Sequence, residues 1–386
     1  MDFIVSRTGA ENFTPGLERL VPIFSPLVTQ FASRGIKVVT IAGTNGKGET
    51  SMALSQMLAQ RSFAPATWTS PHIFSLCERF AFNGVPISYQ QLEALLVFHW
   101  AELENRQLKL SFYEFLFYVF CHYALSLPLT HLILEVGLGG RYDAVNLFNA
   151  DVAAITSIAR DHQAILGNSY RQILSQKIGV ARKGAPLVSF YTSSYLRFET
   201  QKQASAIGAH YSDLANEYQS SDYSHRNRLL ATALFVHATS KSLERMPQLE
   251  NLLASFSFPT FPGRKERMTR GKRSFIFIGA HNVEGMRVLY QAGLTFDHAL
   301  VAFSGRPQSD IVAAGKIVRL IARTADFTAF DHPKASPGDI TEALFPSCYL
   351  ADWKTKVDQL MDQEGETVVM GSYYFIGEVQ KYFATH

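Results

Sequence analysis

An apolar run from Lys37 to Ala42 delivers the chain into Gly43-Thr-Asn-Gly-Lys-Gly48, and a helical pattern begins directly behind it. Strand, glycine turn and helix in that order form a βα step, and a chain built of such steps is held to a sheet with helices packed on it. The step recurs. "HLILEVG" (131–137), "DVAAITSI" (151–158) and "APLVSF" (185–190) read as further strands, with amphipathic stretches after residues 49, 168 and 224. Their near-continuous apolar character argues for a parallel sheet covered by helices on both faces.

The turn itself is suited to an anion. Backbone N–H groups of a glycine-rich loop and the positive end of the helix behind it face the same point, and Lys47 adds a cation for outer phosphates. The spacing is not the standard G-x-x-x-x-G-K-[ST], because Gly43 stands only three positions before Gly46. Glu49, immediately after the loop, is a carboxylate where a phosphate would be repelled.

At 386 residues the chain exceeds the roughly 250 to 300 residues at which single cores stop growing, so two domains are expected. The segment "FPTFPGRKERMTRGKR" (258–273), dense in Pro, Gly and basic residues, marks the change; "SFIFIG" (274–279), "HALVAFS" (298–304) and "TVVMGS" (367–372) then restart the strand pattern. A net charge of +3 is too small to imply a nucleic-acid or membrane partner by itself, and neither is expected; small acidic ligands fit it. The longest apolar run, 115–129, is broken by His122 and Pro128 and is too short to span a bilayer; it reads as a buried helix opened by a Ser111/Glu114 capping box. Asp2, Arg7 and Glu11 deny the first twenty residues a signal-type apolar core, and three scattered cysteines fit a reducing compartment, so the cytoplasm is expected.

Taken in order, "GTNGKG", "TSPHIFSLCERFAFNGVPIS" (69–88), "EVGLGGRYDAVN" (135–146), "ITSIARDHQAILG" (155–167), "SQKIGVARKGAPLV" (175–188), "FPGRKE" (261–266), "AHN" (280–282) and "GSYYFIGEV" (371–379) resemble the motif set of folylpolyglutamate and dihydrofolate synthases, which are Mur-ligase-like ATP-dependent amide ligases. The resemblance implies an α/β fold: an N-terminal P-loop ATPase domain with a mostly parallel sheet (1–260), a linker (261–273) and a smaller C-terminal Rossmann-like glutamate-ligase domain (274–386). It also implies a reaction in which ATP phosphorylates a carboxylate and the amine of L-glutamate attacks the acyl phosphate. Such chemistry calls for cationic screening, in-line positioning and a site that closes against water.

The resemblance distributes roles along the chain. Gly43, Thr44, Asn45, Gly46, Lys47, Gly48, Thr50, Asn227 and Arg264 would hold ATP; Ser70, Glu135 and His162 would hold Mg²⁺. Lys47, Lys177, His162 and Arg264 form the expected catalytic set, Lys177 as a carbamylated lysine and Arg264 as a guanidinium reaching the transferring phosphoryl group. That modification needs a lysine able to become neutral, by burial or beside other cations; on spacing alone Lys177 is a surface helix lysine. His72, Arg79, His281 and Ser372 would bind substrate, the first two on the pterin side and the last two facing glutamate. The partners are dihydropteroate or tetrahydrofolate and L-glutamate, and the chain is expected to act as a monomer.

Three positions depart from the family pattern: Glu49 replaces a Ser or Thr, Ile278 replaces an Asp two residues before "AHN", and Ser309 replaces a Lys before Asp310. They keep two alternatives open, a nucleotide-binding protein with reduced or lost ligase activity and an amide ligase for a cell-wall precursor; "TSPH" and "EVGLGGRYDA" oppose the second.

Overall fold

The computed structural model describes residues 16–220, 222–240 and 248–385, so Asp2, Arg7 and Glu11 lie outside it. The chain divides into two compact units: the first holds the described residues up to Ser70, Cys77–Ser220 and Ser224–Phe258, the second Pro71–Leu76 and the described residues from Pro259 onward.

Eight strands form the sheet of the first unit: β1 (Lys37–Ala42), β2 (Pro65–Trp68), β3 (Phe80–Phe82), β4 (Val85–Pro86), β5 (His131–Glu135), β6 (Val152–Ile155), β7 (Pro186–Ser189) and β8 (His210–Asp213). Their order is β4-β3-β2-β5-β1-β6-β7-β8. The run from β2 to β8 is parallel, and only β3 and β4 are antiparallel additions at one edge. Every residue of β5 and β6, and all of β1 after Lys37, is buried, as expected of parallel strands covered on both faces.

The described helices of this region are α1 (Val21–Ser33), α2 (Lys47–Gln60), α3 (Tyr89–Asn105), α4 (Phe112–Leu125), α5 (Gln163–Leu166), α6 (Tyr170–Lys177), α7 (Ser194–Ile207), α8 (Tyr223–Thr239) and α9 (Leu249–Leu253). Of the run 115–129, residues 115–125 do form a buried helix, while 126–129 lie beyond its C-terminal end. In α4 the Ser111 hydroxyl accepts from the Glu114 N–H while the Glu114 carboxylate accepts from the Ser111 N–H, closing the expected capping box. Phe115 to Cys121 are all buried, and Trp68 from β2 meets the rings of Phe117 and Phe120 at centroid distances of 5.5 Å.

The second sheet runs β13-β12-β11-β14-β10-β9, from β9 (Arg264–Arg270), β10 (Arg273–Ile278), β11 (Phe296–Ala302), β12 (Ala322–Thr328), β13 (Tyr349–Leu350) and β14 (Gly365–Met370). Side-chain parity sorts its two faces. Ile276, Ile278, Val301 and Val368 pack with Met286 of α10 (Val283–Gln291) and with Ile311 and Val318 of α11 (Gln308–Ile321). Phe275, Phe277, Leu300 and Val369 pack instead with Trp353 and Val357 of α13 (Trp353–Met361) and with Phe375 and Val379 of α14 (Tyr373–Thr385), while α12 (Gly338–Leu344) precedes β13. Residues 264–270, read above as part of a linker, form β9, antiparallel to β10. Its side chains alternate between half-buried and exposed, the pattern of an edge strand whose charges face water.

Among the described residues no helix is long and apolar enough to cross a membrane, and Cys77, Cys121 and Cys348 are free thiols.

Candidate active site

Sheet order assembles the first group of site residues. β2, β5, β1 and β6 are consecutive parallel neighbours. At their carboxyl ends stand, side by side, Ser70 after β2, Glu135 closing β5, the 43–48 loop after β1 and the 156–162 segment after β6. Ligands of open α/β sheets bind at this edge. Ser70 donates its backbone N–H to Glu135 Oε2 at 3.0 Å, and Glu135 is buried.

The loop is braced from the β6 side. Thr44 and Asn45 donate their N–H groups to the Ser157 carbonyl and Ser157 Oγ, each at 2.9 Å, and Thr156 Oγ1 donates to the Asn45 carbonyl at 2.6 Å. Gly43 has φ +151°, and a Cβ there would lie 1.9 Å from Thr156 Oγ1, so this close approach admits only glycine. Gly46 has φ +91° and caps α2, which begins at Lys47. The Lys47 ammonium donates to the Thr44 carbonyl at 3.1 Å.

Lys177, at the last turn of α6, is 4% exposed and donates to the Gly43 carbonyl at 2.8 Å. It is therefore no surface lysine. Burial first, then the neighbouring Lys47 charge, lower its pKa to about 7, against the opposing pull of Asp161 and Asp143. His162 occupies the left-handed region at φ +50° as the N-cap of α5, its N–H bonded to Asp161 Oδ1 at 3.0 Å and its side chain 58% exposed. A non-glycine residue held in that region is strained, and such strain gathers at functional sites.

Glu49 sits in the first turn of α2 and does not turn to solvent. It is buried, and Asn227 on α8, itself buried, donates from Nδ2 to Glu49 Oε2 at 2.7 Å. Thr50 beside it is fully buried, and its Oγ1 has no hydrogen-bond partner among the described residues. A buried hydroxyl in that condition is a place where an unseen water or ion is expected. Thr50, the Gly43 cradle and the oxygen donors of Ser70 and Glu135 fit a phosphate with a hard divalent cation. Arg79 is 1% exposed, its guanidinium 5.8 Å from the Phe112 ring centre.

Within the second unit the carboxyl-end rule operates again. Ser304, Ser372 and Gly279 to His281 follow the adjacent strands β11, β14 and β10. Ser372 Oγ and Ser304 Oγ share a hydrogen bond of 2.8 Å, and His281 Nδ1 donates to the Gly279 carbonyl at 3.0 Å. Tyr373, which sequence reasoning passed over, links them: its ring lies 5.0 Å from the Arg264 guanidinium and 5.2 Å from the His281 ring. His72 lies on the 71–76 segment of this unit, where Ile73 joins the core beneath β10 and α14.

No family model matches the chain. The dihydrofolate synthase/folylpolyglutamate synthase of Bacillus subtilis is 26% identical over 417 aligned residues, covering 95% of this chain and 94% of that protein. The chain is thus similar along almost its whole length to a dihydrofolate synthase/folylpolyglutamate synthase. Other curated relatives, 31% to 37% identical, match it over 32% to 40% of their own length. The fold agrees along the whole chain. A bifunctional folylpolyglutamate synthase/dihydrofolate synthase solved with Mn, AMPPNP and L-glutamate gives a TM-score of 0.83 at 23% identity, covering 98% and 97% of the two chains. Escherichia coli FolC, solved with DHPP and ADP, gives 0.80 at 21% identity, covering 100% and 96%.

Against the family pattern, the three departures are built in differently. Ile278 is a core residue on the α10/α11 face of its sheet. Ser309 is exposed in the first turn of α11. Glu49 alone stands inside the loop's own helix terminus.

Asp143 was passed over too. It is buried, accepts the N–H groups of Gly137 and Leu138 at 2.9 Å each and the Tyr113 hydroxyl at 3.0 Å, and so shapes the turn after β5. Burial leads its raised pKa, with those N–H donors pulling the other way. The signal was its place in "GGRYDA".

Proposed function

We propose that this chain is an ATP-dependent ligase that joins L-glutamate to dihydropteroate, to reduced folates, or to both, through an acyl phosphate. One observation carries the reading: a braced glycine loop, Ser70, Glu135 and the His162 segment meet at one sheet edge with Lys177, in a chain aligned almost end to end with a dihydrofolate synthase/folylpolyglutamate synthase.

In this reading the loop N–H groups and Lys47 hold the outer phosphates of ATP. Ser70, Glu135 and His162 would hold Mg²⁺, which screens the negative charge of the two reacting anions. Lys177 is built to lose its proton. A neutral amine there can add to carbon dioxide, forming an N–C bond and releasing a proton, and the resulting carbamate would present oxygens beside the cation. In the second unit, Arg264 would stabilise the transferring phosphoryl group, while His281 and Ser372 would orient glutamate. His72 and Arg79 retain their assignment to the pterin side. Free thiols and the absence of a spanning helix among the described residues accord with a cytoplasmic enzyme.

The Glu49–Asn227 bond favours a second reading, a nucleotide-binding protein with little ligase activity, because it sets a carboxylate where phosphate would sit. One assay separates them. Purified protein with ATP, Mg²⁺ and L-glutamate is followed for phosphate release with dihydropteroate, with tetrahydrofolate, and with neither. Release that requires a pterin acceptor is the expected outcome; a folded protein that releases none with either acceptor would sustain the second reading.

A further inference from the structure

Two helices outside the loop bring together a second set of metal-binding side chains. On α3, His99 and Glu102 stand three residues apart and so share a face, with His99 Nδ1 donating to Glu102 Oε2 at 3.0 Å. On α4, His122 faces them, its ring centre 4.2 Å from that of His99. One ligand atom from each of the three lies within 4.8 Å of the others. We propose that His99, Glu102 and His122 form a binding site for a borderline divalent transition metal, Zn²⁺ or one of its neighbours, that ties α3 to α4.

Packing alone accounts poorly for this arrangement. His122 Nε2 is buried with no hydrogen-bond partner among the described residues, although a buried ring nitrogen ordinarily finds a partner, a water or an ion. Burial, then the neighbouring His99, lower the His122 pKa to about 4, so at neutral pH its imidazole is uncharged and holds a lone pair. Glu102 is steadied in the way metal-ligating carboxylates are. Its Oε1 accepts from Tyr118 at 3.1 Å and from Arg106 at 3.0 Å, leaving Oε2 toward His99. Burial alone would raise its pKa, but the hydrogen bonds from His99, Tyr118 and Arg106 prevail and keep it below the ordinary carboxylate value.

Two imidazoles and one carboxylate suit Zn²⁺, Co²⁺, Ni²⁺ or Cu²⁺ better than Mg²⁺, so the site is chemically distinct from the one proposed at Ser70, Glu135 and His162, which offers a single imidazole. Ligands about 2.1 Å from one ion stand at most about 4.2 Å apart, so ligand atoms separated by the full 4.8 Å would draw in by at least about 0.6 Å. The His99–Glu102 hydrogen bond would give way to shared coordination, and water would complete the shell.

The test is a calorimetric titration of the full-length protein with Zn²⁺ in a large excess of Mg²⁺, alongside Co²⁺ absorption in the visible. One equivalent should bind. His122→Ala and Glu102→Gln, each checked for native circular dichroism, should weaken it by at least about 100-fold, and Tyr118→Phe, which removes only a bond to Glu102, by about 10-fold. His162→Ala should leave the affinity unchanged, and Zn²⁺ should raise the Tm of the wild type but not of Glu102→Gln. Absence of a saturable Zn²⁺ site, or a site lost in His162→Ala yet kept in His122→Ala, overturns the proposal.

Discussion

Lys177 donates to the Gly43 carbonyl from a buried position, and burial first, then the neighbouring Lys47 charge, make its ammonium form costly. The consequence for stability has a definite sign. An unfolded lysine titrates near 10.4, whereas Lys177 in the folded chain titrates at about 7. Between those values the unfolded chain binds the extra proton, so stability rises with pH across the window and is lost as pH falls toward 7. Replacing the amine with an apolar group of similar length removes that dependence. Lys177→Met should therefore show a flatter urea midpoint between pH 7 and 10 than the wild type. Its turnover should drop by about 100-fold or more, the scale of losing one group that stabilises charge in the transition state. Equal pH slopes in the two proteins would mean that Lys177 carries its proton in the folded chain.

At the scale of elements, α2 and α8 are joined beside the glycine loop by the Glu49–Asn227 hydrogen bond. Asn227 holds Glu49 in the first turn of α2, where the helix terminus favours negative charge and a bound phosphate competes for the same field. Glu49→Ser should keep the fold and tighten nucleotide binding by roughly 10-fold, about 1.4 kcal/mol. The Asn227 amide then loses its partner, so unfolding should cost about 1 to 3 kcal/mol less. Calorimetry with ADP and a urea melt read the two effects separately, and an unchanged or weaker nucleotide affinity would remove the repulsion argument. The strands that carry the site were legible beforehand: 37–42 matches β1, and the runs at 131, 151, 185, 274, 298 and 367 overlap β5, β6, β7, β10, β11 and β14. Most of the strands that escaped notice are edge-proximal, short or charged, such as "HYSD" in β8 and "RKERMTR" in β9. One face of such a strand meets water, so the long apolar run that marks a central parallel strand is missing.

In the molecule as a whole, the same device serves twice, since each unit gathers its candidate residues at the carboxyl ends of adjacent parallel strands. Motif order alone located most of those positions, because strand ends are fixed by the run that precedes them. What the linear chain concealed is pairing at a distance. Glu49 and Asn227 are 178 residues apart, Lys177 and Gly43 134, and Ser70 and Glu135 65. Lys177 read as a surface helix residue because the group it meets, the Gly43 carbonyl, lies 134 residues away and not among its neighbours in "SQKIGV". The central claim is that the 43–48 loop and the edge holding Ser70, Glu135 and His162 form one site for nucleotide and metal. A crystal structure of the protein with Mg²⁺ and a non-hydrolysable ATP analogue addresses it directly. The triphosphate should lie along the loop N–H groups and Lys47, with the cation reached by Ser70, Glu135 and His162; a triphosphate bound elsewhere, or those three side chains directed away from the ion, would contradict it.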